Sequence, residues 1–136
     1  MNFMNKKRIF RIGLLLIAMV TICFPAFAEK KGEIHFAETI YDFGTINEDG
    51  GPVSHEFEFT NDGKGNLVIV SAKAECGCTR PEFPEAPIAP GHKGVIKVTY
   101  NPLGRPGGFT KTVTVKTNGN PAKVTLKIRG TVKPKN

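Results

Sequence analysis

The stretch Val53-Ser54-His55-Glu56-Phe57-Glu58-Phe59 sets Val53, His55, Phe57 and Phe59 on one face of an extended chain, with Ser54, Glu56 and Glu58 on the other. A period of two is the mark of a strand with one side in a core and the other in water. The same pattern recurs downstream. Ile96, Val98 and Tyr100 alternate with Lys97 and Thr99, while Val113 and Val115 alternate with Thr112, Thr114 and Lys116. Val124, Leu126 and Ile128 alternate with Thr125, Lys127 and Arg129. Strands wet on one face belong to antiparallel sheets. Leu67 to Val70 is apolar at every position and reads as a central strand.

Turn signals fall between these runs: Asn61 to Asn66, Pro90-Gly91, Pro106-Gly107-Gly108, and Asn118-Gly119, a dipeptide suited to the twist of a hairpin turn. No window after Glu33 sustains a helical stripe. About seven short strands at this spacing predict an all-β chain, a single immunoglobulin-like antiparallel β-sandwich over residues 33–132, with a tail at 133–136. Its expected core is Phe43, Phe57, Phe59, Leu67, Ile69, Ile96, Val98, Tyr100, Val113, Val115, Val124, Leu126 and Ile128. The buried tryptophan of antibody domains is missing, since the chain has no Trp. Arg80 to Pro90 holds four prolines and cannot be a central strand. It reads equally as a functional loop or as a packed crossover between sheets.

Upstream of the sandwich, residues 1–28 have the parts of a secretory signal. Lys6, Lys7, Arg8 and Arg11 precede the apolar run Ile12 to Phe24, which falls short of the ~20 residues of a membrane span. Ala26-Phe27-Ala28 is a small-x-small site, so cleavage is expected between Ala28 and Glu29, with residues 29–32 as a lead-in. The expected destination is the periplasm or the exterior, with no stable membrane span after cleavage. A lipoprotein is disfavoured, because Ile22 rather than a small residue precedes Cys23.

The whole chain carries a net charge of +7, but four of its 19 basic residues lie in the signal. The remainder has 15 Lys and Arg against 12 Asp and Glu, and Lys97, Lys111, Lys116, Lys123 and Lys127 are spread singly along strands. A nucleic-acid surface would cluster them, so none is expected.

Candidate chemistry concentrates in Cys76-Gly77-Cys78-Thr79, which holds the thiols outside the signal. A disulfide needs Cα atoms within about 7 Å, near the limit for residues two apart in a strand, so a bridge requires a turn, which Gly77 permits. So small a ring is expected to be labile rather than structural. Lys73 and Arg80 favour a thiolate and Glu75 opposes one. Two thiolates also suit Cu(I). Zinc normally takes four ligands, and no motif at metal spacing accompanies the pair; His92, in the Pro90-Gly91-His92 turn, could approach only through folding. Cys76 and Cys78 are therefore candidates for a packed or disulfide-bonded structural pair, a copper or zinc site that His92 could join, a redox pair, or a partner-binding surface. His55 reads as an interior or rim histidine, and His35 as solvent-facing. No local catalytic motif appears, and an enzyme is not expected.

Several of these residues match a known pattern. Phe43-Gly44-Thr45-Ile46, Phe59-Thr60-Asn61, Cys76-Gly77-Cys78-Thr79, Ile88-Ala89-Pro90-Gly91, Asn101-Pro102 and Gly130 occur in the order seen in one bacterial family. The chain resembles domain of unknown function fifteen-seventy-three, exported immunoglobulin-like proteins common in Bacteroidetes. It is more distantly similar to the abnormal-spindle/hydin-like β-sandwiches. The resemblance covers about residues 36–132 and implies the fold. It brings no catalytic residues, and Cys76 and Cys78 fall on signature positions without an assigned role. The combined expectation is a non-enzymatic binding or structural module of the cell envelope without a cofactor, its partner an envelope protein or a glycan. The alternative is a thiol-based copper, zinc or redox protein using Cys76 and Cys78.

Overall fold

A computed structural model describes residues 22–25 and 29–136. Most of the predicted export signal, including Ala28 at its cleavage site, lies outside the described residues. Eight strands follow in order: β1 (Ile34–Phe36), β2 (Ile40–Asn47), β3 (Val53–Asn61), β4 (Ile69–Ala74), β5 (Thr79–Glu82), β6 (Lys93–Tyr100), β7 (Gly107–Thr117) and β8 (Lys123–Lys133). They form two four-stranded sheets, β1-β3-β6-β5 and β2-β8-β7-β4. This is an immunoglobulin-like sandwich, with eight strands rather than about seven because the opening segment splits between the sheets as β1 and β2. Pairing is antiparallel except between β2 and β8, which run parallel.

The alternating residues build the core as their period requires. Phe57, Phe59, Ile96, Val98 and Tyr100 point inward from β3 and β6, and Val113, Val115, Leu126 and Ile128 from β7 and β8. Phe43 and Val124 are only partly buried, since each packs at the margin of the same cluster. Ile34, Phe36, Phe109 and Val132 complete the core. The stretch Leu67 to Val70 is not a central strand. Leu67 lies before β4 and joins Ile88 by an isolated bridge, and β4 is an edge strand paired with β7 alone. Its register slips between Ile69 and Ser71, so Val70 is the extra residue of a bulge and stands 60% exposed.

Every edge of the sandwich is short or interrupted. β1 has three residues, β5 has four and contains Pro81, β4 carries its bulge, and the register of β2 shifts between Asp42 and Thr45. Edges of this kind resist pairing with another chain. The shift in β2 is built on Gly44, whose φ of 68° is open to glycine at little cost. Asp42 fixes it by accepting the Gly44 N–H at 2.7 Å through Oδ1, while Oδ2 accepts from Arg129 Nε at 3.2 Å. These contacts, the Gly44 bond first, hold the Asp42 carboxyl below the usual range.

The segment after β5 runs as a packed strap rather than a free loop. It connects β5 to β6 within one sheet, and Phe83 and Ile88 pack on the core. Ile88 exchanges backbone hydrogen bonds with Leu67 at 2.7 and 2.9 Å, tying the two sheets together along this side. Asn118-Gly119 does lie between paired strands, but the connection takes residues 118–122 and includes a cis Asn120–Pro121 bond, so it is not a two-residue turn. Thr117 holds it, its hydroxyl donating to the Pro121 carbonyl and accepting the Gly119 N–H.

Candidate thiol site at one end of the sandwich

Cys76 and Cys78 sit where the chain leaves β4 in one sheet and enters β5 in the other. Both strands are edges, so the connection is short and turns sharply at the rim. The Thr79 N–H donates to the Cys76 carbonyl at 3.3 Å, closing a turn over Gly77 and Cys78. The turn brings the Cα atoms of the two cysteines to 5.3 Å, with their sulfurs at bonding distance as a disulfide. The turn that the bridge requires is thus present, and Gly77 makes it without a positive φ. A Cβ on Gly77 would meet nothing within 4 Å.

The two sulfurs differ in their surroundings. Cys78 is 5% exposed and belongs to the core cluster, whereas Cys76 is only partly buried. The Cys78 N–H points at Cys76 Sγ from 3.2 Å, and Cys78 Sγ lies 3.5 Å from the Thr79 hydroxyl. Lys73 and Arg80 are exposed on the flanking strands. Glu75 is turned aside, its carboxylate accepting the Thr112 N–H at 3.1 Å.

A second loop shares this end. The Asn101 N–H donates to the Cys78 carbonyl at 2.9 Å, linking the cysteine turn to residues 101–106. That loop is braced internally. Asn101 Oδ1 accepts the Leu103 N–H, and the Arg105 guanidinium donates to the Leu103 carbonyl at 3.0 Å. Leu103 is left pointing outward and 56% exposed. Beneath the loop, Tyr100 stacks on Phe109 at 4.0 Å. Burial pushes its phenol pKa up, partly offset by the Arg105 charge.

His92 is not brought to the cysteines. Tyr100 pairs with Thr79 beside Cys78, and His92 lies eight residues earlier at the far end of β6, about 26 Å away at about 3.3 Å per residue. Among the described residues, no three or more His, Cys, Asp or Glu side chains are grouped to hold a metal ion. His55 is a rim residue bonded to Glu38 and stacked on Tyr41 at 3.5 Å, bridging the two sheets, and His35 is exposed. The polar hub that sequence reading missed is Asn61, fully buried at the opposite end. Its Oδ1 accepts from Glu33 and Gly63, and its Nδ2 donates to Gly65 and Ile88. The signal was the Phe59-Thr60-Asn61 fragment, an alternating strand that ends on an inward-facing amide.

Comparison with known proteins fits this architecture. Residues 34–132 match the model of the family described as Protein of unknown function (DUF1573). A protein of unknown function from Porphyromonas gingivalis W83 superposes with a TM-score of 0.66 at 18% identity, over 80% of this chain and 51% of that one. This chain thus spans about half the length of that protein. The ASH/PapD-like domain 7 of human CEP192 gives 0.59 at 13% identity, covering 86% of this chain and 97% of the domain. The E. coli chaperone DraB gives 0.51 at 12%, covering 76% and 55%. At these identities the likeness is one of fold. No curated protein matches the chain. Among the described residues no helix is long and apolar enough to cross a membrane.

Proposed function

The chain belongs to the DUF1573 family of proteins of unknown function, and from that premise we propose that it is an exported, non-enzymatic module of the cell envelope that binds another protein with one end of its sandwich. The observation that carries this reading is the pair of joined loops, residues 75–79 and 101–106, fixed to each other through Asn101 and Cys78. A braced loop that presents an exposed leucine loses little freedom when a partner covers it. Loops at the end of a rigid sandwich are also where this fold class usually places its contacts. The interrupted edges argue the same way, because they leave a partner no long strand to pair with.

A protein suits this end better than a glycan. Its aromatic ring, Tyr100, is stacked inside on Phe109, while the exposed groups are Leu103 and Arg105. Export rests on the charged, apolar and small-residue pattern of residues 1–28. The test is capture from envelope extract with the wild-type chain, with Leu103→Asp, and with Lys127→Asp on β8 as a surface control. A partner held by the wild type and the control but lost by Leu103→Asp supports the reading. A partner held equally by all three, or none at all, refutes it.

A further inference from the structure

We propose that Cys76 and Cys78 form a thiol–disulfide exchange site in which Cys76 is the sulfur attacked by an incoming thiolate and Cys78 is the sulfur released. The first of three features sets that order, and the other two suit the turn to exchange. Cys76 is the partly exposed member and Cys78 the buried one, so an external thiolate reaches Cys76 first. Apart from the two cysteines that flank it, nothing lies within 4 Å of where a Cβ on Gly77 would stand. Finally, each sulfur has a donor at hand when charged. The Cys78 N–H lies 3.2 Å from Cys76 Sγ and the Thr79 hydroxyl 3.5 Å from Cys78 Sγ. Hydrogen bonds of this kind favour a thiolate as leaving group or nucleophile.

The exchange balances in two steps. A substrate thiolate attacks Cys76 Sγ, forming a mixed disulfide and breaking the Cys76–Cys78 bond, whose electron pair leaves on Cys78. Thr79 donates to that thiolate, and the buried pocket keeps it from other oxidants. A second thiolate, on the same substrate or another, then attacks the substrate sulfur of the mixed disulfide and releases Cys76. Two substrate thiols are thereby oxidised to one disulfide, and the bridge is reduced. The two protons lost by the substrate thiols end on Cys76 and Cys78. The bridge encloses a single residue, and apart from Cys78 the core cluster is built from other strands' side chains, so this exchange leaves the sandwich folded.

The thiolate has two possible sources, a small molecule or a protein cysteine. Lys73 and Arg80 beside the turn favour an anionic thiol, and glutathione is the probe of the first kind. A dithiol peptide is the probe of the second, since it alone completes both steps within one substrate. The purified, non-reduced protein is exposed briefly to each probe, quenched in acid and mapped by peptide mass. Mapping keeps Cys23 apart and needs no substitution. The expected result is an adduct on Cys76 at least tenfold over Cys78, with amide exchange of β3 and β6 unchanged. The dithiol peptide should yield the fully reduced protein without lasting adduct.

With oxidised glutathione as the probe, whose own disulfide the free cysteine opens with release of one glutathione thiolate, Cys78→Ser should carry a lasting Cys76 adduct, whereas Cys76→Ser should react at least tenfold more slowly. Equal labelling of both cysteines overturns the proposal. So does a bridge that opens only when the sandwich is unfolded by urea, or native mass spectrometry showing copper or zinc on an unbridged pair. Partner capture is scored separately. A double Cys→Ser variant that loses exchange but keeps the partner separates this inference from the proposed function.

Discussion

Replacing Asn61 by alanine should destabilise the sandwich more than the change of any exposed residue, because this one amide satisfies four backbone groups from three segments. Its Oδ1 accepts the N–H groups of Glu33 and Gly63 at 3.1 and 3.0 Å, and its Nδ2 donates to the carbonyls of Gly65 and Ile88, both at 2.8 Å. The main chain of Asn61 adds bonds to His92 and Gly91, so alanine keeps the strand end in place but leaves the four groups without their partner. At about 1 kcal/mol net per hydrogen bond, the four bonds together contribute about 4 kcal/mol. The segments lie near the surface and water can reach some of the freed groups, so about 2–4 kcal/mol is expected. That is a large share of the roughly 5–15 kcal/mol stability of an ordinary domain. It corresponds to a fall in Tm of at least about 10 °C for a domain of this size.

Asn61→Asp sharpens the test. The ionised carboxylate still accepts from Glu33 and Gly63 but faces the two carbonyl oxygens with no proton to give. Burial and those oxygens raise its folded pKa, so the variant should be most stable below the unfolded value and lose stability as pH climbs past it. Urea unfolding of wild type, Asn61→Ala and Asn61→Asp between pH 4 and 8 reads both effects. An alanine variant within about 0.5 kcal/mol of wild type, or an aspartate variant indifferent to pH, would refute the reasoning.

Three further outcomes follow from the geometry. The Asp42 carboxyl is held low by Gly44 and then Arg129, so its contribution is present above the unfolded pKa and fades as pH falls through the folded one. Thermal melts should therefore show wild type losing ground to Asp42→Asn below about pH 4, with no such crossing at neutral pH. Gly130→Ala should cost about 1–3 kcal/mol by urea unfolding, because its Cβ would stand 2.9 Å from the Gly44 carbonyl oxygen and from the Phe109 ring. Val70→Lys at the bulge should stay within about 0.5 kcal/mol of wild type, whereas Ile69→Ala beside it should cost about 2–5 kcal/mol.

That last contrast marks where sequence reading stops. Periodicity told inside from outside along β3, β6, β7 and β8, because a regular pleat converts position directly into facing. It failed at Leu67 to Val70, where four apolar residues in a row imply burial on both faces. The bulge at Val70 is a register event between strands distant in sequence, and no local pattern encodes it. The strap at 83–92 shows the same limit. The four prolines of residues 80–90 excluded a central strand, but only the bridge from Ile88 to Leu67 marks the segment as packed.

The thiol turn was legible as chemistry and opaque as geometry. Two cysteines separated by one residue announce that their sulfurs can meet, and β5 beginning at Thr79 explains why the chain must turn there. What the spacing could not convey is the difference between the two sulfurs. That difference arises because β4 and β5 belong to different sheets. Crossing the rim between them carries the chain from the half-exposed margin at Cys76 into the core at Cys78 in two residues. The same crossing separates both cysteines from His92, since β6 runs from the far end of the sandwich to reach Tyr100 beside them. An asymmetric pair is thus a consequence of joining two edge strands over one rim. The Asn101 bond to Cys78 then fastens that pair to the loop bearing Leu103, so a protein docked on the leucine would bring its own side chains up to the partly exposed Cys76.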